Sequence, residues 1–256
     1  MDLHLKDKVA LVTGGSHGLG KSICLGLAAE GVKVAVNYRK SPERAEAVVK
    51  EIQETYGVEA IAVYADMAQE AEIIEMFRQI EAKFSQVDIL VNNAAICPQS
   101  WVKDTLEEIW TNVLQVNLTG TFIACREVVK RLIAVQHPGR IINITSVAAF
   151  HGSTSGQAAD DASKGGMISF TVSLAREVAP YGITVNALAP GLMVTEMTEK
   201  KYLASKDKYL SRVPLGRFGE TSEIADAVVF LCSDLLAMRA LQWCGQSVEN
   251  FPGFDR

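Results

Sequence analysis

Three observations predict a doubly wound parallel α/β sheet of about seven strands with helices on both faces. Short runs rich in valine, isoleucine and alanine alternate along the chain with longer stretches of helical periodicity. Those runs are apolar throughout, as strands buried on both faces must be. The first of them leads into a glycine-rich turn that opens a helix.

The elements follow in order. "KVALVTG" reads as the first strand, with a helix over about 18–30 after it. "VKVAVNY" is the second, followed by a helix with Ser41 as N-cap and Pro42 in its first turn, where a missing N–H costs nothing. "EAIAVYAD" and a helix over 70–84 come next, then "DILVNNA" and a long helix over 106–135. "RIINITS" precedes a helix over 161–179, "ITVNALAPG" is a further strand, and a last run lies near "GQSVEN". Gly31, Gly57 and Gly182 stand where three of these helices should stop. The stretch 192–218 has no clear pattern and follows a Pro-Gly turn at the carboxyl edge of a strand, where open parallel sheets bind ligands. It is read as a substrate lid.

At 256 residues and 48% hydrophobic, with no repeat, linker or low-complexity tract, residues 1–256 are read as one domain with one large core. A net charge of -5 argues against a nucleic-acid partner, which needs a concentrated basic face. The lysines between Lys200 and Lys208 are interrupted by acidic residues and read as a solvated helix face. Five scattered cysteines, with no CxxC pair or His/Cys cluster, read as reduced thiols and mostly core filler, and no metal site is expected. The charged start runs straight into a strand, and no apolar run reaches the length of a membrane span. A cytoplasmic protein acting on a small molecule is expected.

The turn "TGGSHGLG" places Gly14, Gly18 and Gly20 at the start of a helix. Glycines there let the backbone approach a pyrophosphate, whose charge meets free N–H groups and the positive end of the helix. A tight turn without a ligand has the same composition, but the position after the first strand of an alternating chain favours a dinucleotide and a Rossmann-type sheet. The second strand ends "VNYRK", where an NAD site usually carries a carboxylate for the ribose 2′-hydroxyl. Asn37 and Tyr38 are neutral and Arg39 follows, which suits a 2′-phosphate. NADP(H) is therefore favoured over NAD(H), with His17 as a further donor.

With these motifs in hand, the chain resembles the short-chain dehydrogenase/reductase family over nearly its whole length. "TGGSHGLG" matches TGxxxGxG, Asp66 matches the adenine-contacting aspartate, and "NNAA" at 92–95 matches NNAG. Asn117 in "VNLTG" and Ser146 in "INITS" match two catalytic residues, and "PGLMVTEM" matches the turn whose Thr195 touches the nicotinamide carboxamide. The resemblance extends the cofactor-binding set to Ser16, Leu19, Met67, Asn93, Ala94, Pro190 and Gly191, and implies a homotetramer built on the helices at 106–135 and 161–179.

The family also uses a tyrosine four residues before a lysine, so that both side chains share one helix face. The tyrosine protonates the carbonyl oxygen as hydride arrives; the lysine holds the nicotinamide ribose and lowers the tyrosine's pKa. This chain keeps Lys164 in "ASKGG" but carries Asp160 in the tyrosine's place. The segment after Ser146 is also about one residue longer than usual, and the tail "WCGQSVENFPGFDR" departs from the family's TGQxxxVDGG.

An exposed aspartic acid ionises near ~3.9, about six units below tyrosine, so an ionised Asp160 is a poor donor to a ketone. It suits a C=N⁺ acceptor, whose nitrogen already carries the charge that an acid would supply and needs only an anion beside it. Asp160 with the retained lysine and an altered tail resembles, at a finer level, the fungal relatives of prenylated indole alkaloid pathways. That resemblance implies NADPH-dependent reduction of a cyclic iminium, followed by a guided intramolecular Diels–Alder reaction.

Other readings stand beside this one. Asp160 and Asp161 suit the N-terminus of a helix, stabilised by its dipole, in a nucleotide-binding scaffold without catalysis. An ordinary ketone reductase altered at one position has the same Asn117, Ser146 and Lys164. Asp161 becomes the working carboxylate if the longer segment shifts the register. Arg126 could reach a carboxylate across the site, and Trp101, Trp243, Phe251 and Phe254 could line an apolar pocket; both kinds of residue are more often packing or interface residues.

Overall fold

The structure is a computed structural model that describes residues 2–195, 206–211, 213–235 and 242–244. Seven parallel strands form one sheet in the order β3-β2-β1-β4-β5-β6-β7. They are β1 Val9–Val12, β2 Lys33–Tyr38, β3 Ala60–Tyr64, β4 Ile89–Asn92, β5 Gly139–Ile144, β6 Ile183–Ala189 and β7 Gln242–Cys244. Leu11 pairs with Ala35 of β2 on one side and Leu90 of β4 on the other, so strand order reverses at β1. A crevice opens at the carboxyl ends of the strands where the order reverses, and ligands bind there in such sheets.

The alternation of side chains along each strand divides the core in two. Ala10, Val12, Val34 and Val36 pack with Ile23, Leu27 and Val228 on one face. Leu11, Ala35, Leu90 and Ile141 pack with Phe77, Ile80, Val128 and Leu174 on the other. Strands that carry apolar residues to both faces must be covered twice, which is why the strand runs lack polar alternation.

The helices are α1 Gly18–Ala29, α2 Pro42–Tyr56, α3 Glu70–Phe84, α4 Glu107–Leu114, α5 Gly120–Ala134, α6 Ala148–His151, α7 Ala158–Val178, α8 Lys206–Leu210 and α9 Thr221–Cys232 among the described residues. α3 has the predicted bounds. Gly31, Gly57 and Gly182 lie just past helix ends with left-handed backbone, as predicted.

Three expectations change. The helix over 106–135 is not continuous: a π turn, Gln115–Thr119, joins α4 to α5. The helix predicted from 161 starts at Ala158, so Asp160 and Asp161 lie in its first turn, where the free N–H groups favour carboxylates. The last strand falls at Gln242–Cys244, before the "GQSVEN" run, which lies outside the described residues along with Phe251 and Phe254. The predicted lid is stitched at its base, where Met193 bridges to Gly219 and the Gly219 N–H donates to the Leu192 carbonyl at 2.9 Å. Residues 196–205 and 212 of that segment lie outside the described residues. Among the described residues no helix is long and apolar enough to cross a membrane.

Candidate active site

The glycine turn between β1 and α1 is held from two sides. The Gly14 N–H donates to Asn37 Oδ1 at 3.0 Å, and the Gly15 N–H donates to the Asn37 carbonyl at 2.9 Å. Asn37 Nδ2 reaches the Ala65 carbonyl at 3.2 Å, so this buried amide ties the turn to the end of β3. On the other side, Thr13 Oγ1 accepts the N–H groups of Asn93 (2.9 Å) and Ala94 (3.0 Å). Asn93 Nδ2 donates back to the carbonyls of Thr13 (2.9 Å) and Gly14 (3.2 Å).

This weave explains two of the glycines. Gly14 has φ +63°, and a Cβ there would stand 3.0 Å from Ala94 Cα. A Cβ on Gly20 would overlap the Gly14 carbonyl oxygen and come within 2.7 Å of Asn93 Nδ2. Backbone can therefore lie against backbone, leaving the N-terminus of α1 open toward the crevice.

A cleft of about 410 Å³ lies over this turn. Gly14, Ser16, His17, Gly18, Leu19, Gly20, Asn37, Tyr38, Arg39, Asp66, Met67, Asn93, Ala94 and Thr195 line it, bringing together residues predicted from five separate motifs. Arg39 and Asp66 meet across it at 3.4 Å. Asp66 also accepts the Ala68 N–H at 2.9 Å, which fixes its carboxylate in a turn. His17 is exposed at the N-cap of α1 with its Nδ1 3.1 Å from Ser16 Oγ. Pro190 accepts the Val147 N–H at 3.2 Å, which joins the β6 turn to the segment after Ser146. Gly191 is exposed and has open space where a Cβ would stand.

The second half of the site gathers around α7. Lys164 is buried, and its ammonium donates to the Ile144 carbonyl at 2.8 Å. Asn117, fully buried in the π turn, donates from Nδ2 to Asp160 Oδ1 at 3.0 Å. The same nitrogen stands 3.0 Å from the Ile96 carbonyl and 3.1 Å from Ser163 Oγ, while Asn117 Oδ1 accepts the Ile96 N–H at 2.9 Å. π turns often mark functional sites, because the extra residue re-aims side chains. Here it turns Asn117 both to the end of β4 and to α7.

Burial pushes the Asp160 carboxyl up from its ordinary value, and the Lys164 ammonium pulls it back. Burial likewise pushes Lys164 down, opposed by the charge of Asp160. Each partner thus supplies the charge that makes the other tolerable away from water.

The two aspartates have separate partners. Asp161 Oδ2 accepts the Ser153 N–H at 2.7 Å and holds the loop after α6. That loop turns at Gly152 and Gly156, both with positive φ, and the Gly156 carbonyl accepts the Ser100 N–H at 2.8 Å. Ser146 Oγ accepts the Ala148 N–H at 3.1 Å, opening α6.

The remaining candidates have other surroundings. Arg126 pairs with Glu70 at 2.7 Å and with Glu127, between α3 and α5, so its guanidinium is engaged away from Asp160. Trp101 is exposed. The side chain of Trp243 lies outside what is described. Cys97, expected in the core, is half-buried instead, and Gln157 Nε2 donates to its sulfur at 2.8 Å. Its position just past "NNAA", at the carboxyl end of β4, was the available signal. Cys24, Cys125 and Cys232 are buried as expected.

A family model described as short chain dehydrogenase matches residues 8–206. A 3-oxoacyl-[acyl-carrier-protein] reductase FabG from Staphylococcus epidermidis is 45% identical over 228 residues, covering 89% of this chain and 92% of the relative. A 3-oxoacyl-[acyl-carrier-protein] reductase from Synechocystis is 45% identical over 230 residues, covering 90% and 91%. The FabG of Aquifex aeolicus is 43% identical over 236 residues, covering 92% and 94%.

Proposed function

Because the chain belongs to the short-chain dehydrogenase family, we propose that it is an NADP(H)-dependent reductase whose acceptor is a cationic C=N group. The observation that carries this reading is Asp160, four residues before a retained and buried Lys164, with its carboxylate held by Asn117.

The cleft suits the cofactor on its own geometry. Gly14 and Gly20 leave backbone surface that any side chain would cover, the N-terminus of α1 faces the anion, and Arg39 stands where a 2′-phosphate would lie. Gly14, Ser16, Gly18, Leu19 and Gly20 would hold the pyrophosphate region, and Asp66 and Met67 the adenine side. Asn93, Ala94, Lys164, Pro190, Gly191 and Thr195 would hold the nicotinamide side. When bound, NADPH supplies a hydride to the electrophilic carbon, and the π pair of C=N⁺ moves onto nitrogen to give a neutral amine without a donated proton.

The protein's part is electrostatic. Asp160 balances the cation before and during the reaction, in a half-buried place where water screens it little. Lys164 favours the ionised carboxylate against the burial that raises it, and Asn117 holds one of its oxygens. Arg39→Ala is expected to weaken NADPH binding about tenfold or more while leaving NADH little changed, measured by fluorescence titration with each nucleotide.

The relatives are named as reductases of 3-oxoacyl groups, so ketone reduction is the second reading. It has an observation of its own: burial raises the Asp160 carboxyl, and a protonated Asp160 could serve as the acid. The two readings differ in sign. A carboxylate that holds a cation works above its pKa, so kcat/KM falls as pH drops through the raised value. An acid works below it, so kcat/KM falls as pH rises through the same value. Oxidation of NADPH, followed against pH with cyclic iminium salts and with 3-oxoacyl thioesters, decides between them. Turnover of thioesters alone, with the alkaline limb falling, overturns the iminium reading; binding of NADPH with turnover of neither class points to a scaffold.

The finer part of the proposal is a Diels–Alder step in the same cleft, accelerated by holding diene and dienophile close and aligned. Cyclised product enriched in one stereoisomer would support it; uncyclised amine would remove it. Assembly as a homotetramer is proposed on the exposed Trp110, Phe122 and Val172 of α4, α5 and α7, and light scattering in solution tests it.

A further inference from the structure

We propose that Gln115 is a positioning residue for the adenine side of the cofactor cleft: its amide, with the bare backbone of Gly120 beside it, holds the turn that carries Asp66 and Met67. The proposal rests on the reading of that cleft as a dinucleotide site and deepens it.

The π turn between α4 and α5 makes this grip. Gln115 Nε2 donates to the Ala68 carbonyl at 3.2 Å. The Gly120 N–H donates to the Gln115 carbonyl, which closes the wide turn and stacks the two residues on one face. In a regular α-helix a residue five further on lies about 140° around the axis, and the two could not meet the same neighbour. On the face they share, a Cβ at Gly120 would overlap the Met67 carbonyl oxygen. Gly120 and Gln115 thus take hold of successive residues, Met67 and Ala68.

The turn they hold is closed on itself. Asp66 Oδ1 accepts the Ala68 N–H at 2.9 Å, the Asp66 carbonyl accepts the Gln69 N–H at 2.9 Å, and Glu72 Oε2 accepts the Asp66 N–H at 2.7 Å. A closed turn moves as a unit, so a grip on Ala68 sets where Asp66 and Met67 stand in the cleft that both line. Residues two apart on a helical turn point to different sides. Asn117 accordingly faces Ile96 and Asp160 while Gln115 faces Ala68. One turn of chain braces the adenine wall on one side and the carboxylate of α7 on the other.

Two half-cofactors test this: adenosine 2′,5′-bisphosphate, which carries the adenine half with its 2′-phosphate, and reduced nicotinamide mononucleotide, which carries the other half. Each is titrated into the wild type, Gln115→Met and Gln115→Lys, with thermal unfolding recorded alongside. Gln115→Met keeps the length of the side chain and removes the donor; Gln115→Lys returns one. Gln115→Met is expected to weaken the adenine probe about three- to tenfold and to leave the nicotinamide probe within about twofold, and Gln115→Lys to recover most of the loss. An unchanged affinity for the adenine probe in Gln115→Met overturns the proposal. So does an equal loss for both probes, which is what general loosening of the fold would give. A wild type that binds neither probe, nor NADPH itself, overturns the dinucleotide reading of the cleft, and the positioning role falls with it.

Discussion

Asp160→Ala is expected to slow hydride transfer to an iminium acceptor by a factor of roughly 30 to 1,000, about 2–4 kcal/mol of barrier, with NADPH affinity little changed. The size follows from removing a preorganised charge beside a developing redistribution of charge. The selectivity follows from the fold, because the glycine turn and Arg39 line the cofactor cleft, Asp160 does not, and they share no hydrogen bond with it among those described. Single-turnover kinetics with preformed enzyme–NADPH complex measures the step itself. An unchanged rate would reject the electrostatic role. Asp160→Tyr is the companion: restoring ketone reduction while leaving iminium reduction intact would show that the carboxylate contributes nothing of its own.

Gly20→Ala is expected to abolish measurable NADPH binding, a loss of about a hundredfold or more, and to lower stability by about 1–3 kcal/mol. The added Cβ meets the Gly14 carbonyl and the Asn93 amide, neither of which can yield without opening the Thr13–Asn93 weave. Calorimetric titration with NADPH and urea unfolding measure the two effects. Gly57→Ala makes a useful control, since no atom lies within 4 Å of its Cβ position and it stands far along the chain from the turn. It should cost stability through its left-handed backbone and leave binding intact. Binding retained in Gly20→Ala would mean that the turn can open at little cost.

Much of this was legible in the sequence because a parallel sheet writes itself plainly. Strands buried twice are apolar throughout, helices between them are long, and the glycines at the first turn fall where pyrophosphate would lie. Most motif residues of the cofactor half line one cleft for that reason, whereas Lys164, Pro190 and Gly191 lie outside its lining. What stayed hidden turns on angles that spacing does not encode. Asp160 and Asp161 are neighbours in one helical turn, and only the structure separates the carboxylate facing Asn117 from the one holding Ser153. The role of Asn37 was hidden too: the sequence marks it only as neutral where an NAD site carries a carboxylate, whereas its amide is engaged by the turn and by the end of β3. Cys97 was read with the core cysteines because a lone cysteine has that composition, whereas it is half-buried.

The interruption between α4 and α5 escaped for a similar reason, since one extra residue hardly disturbs a helical pattern. Its effect on what length changes the chain can absorb is large. Deleting one residue from Gln115–Thr119 would let an uninterrupted α-helix form and would remove the wide turn that carries Asn117. Asn117 would leave Asp160, and the link from the end of β4 to α7 would be lost with it. Elsewhere a missing residue shortens a loop; here it would redraw the active site, so this stretch of sequence is fixed in length even where its side chains are free to vary.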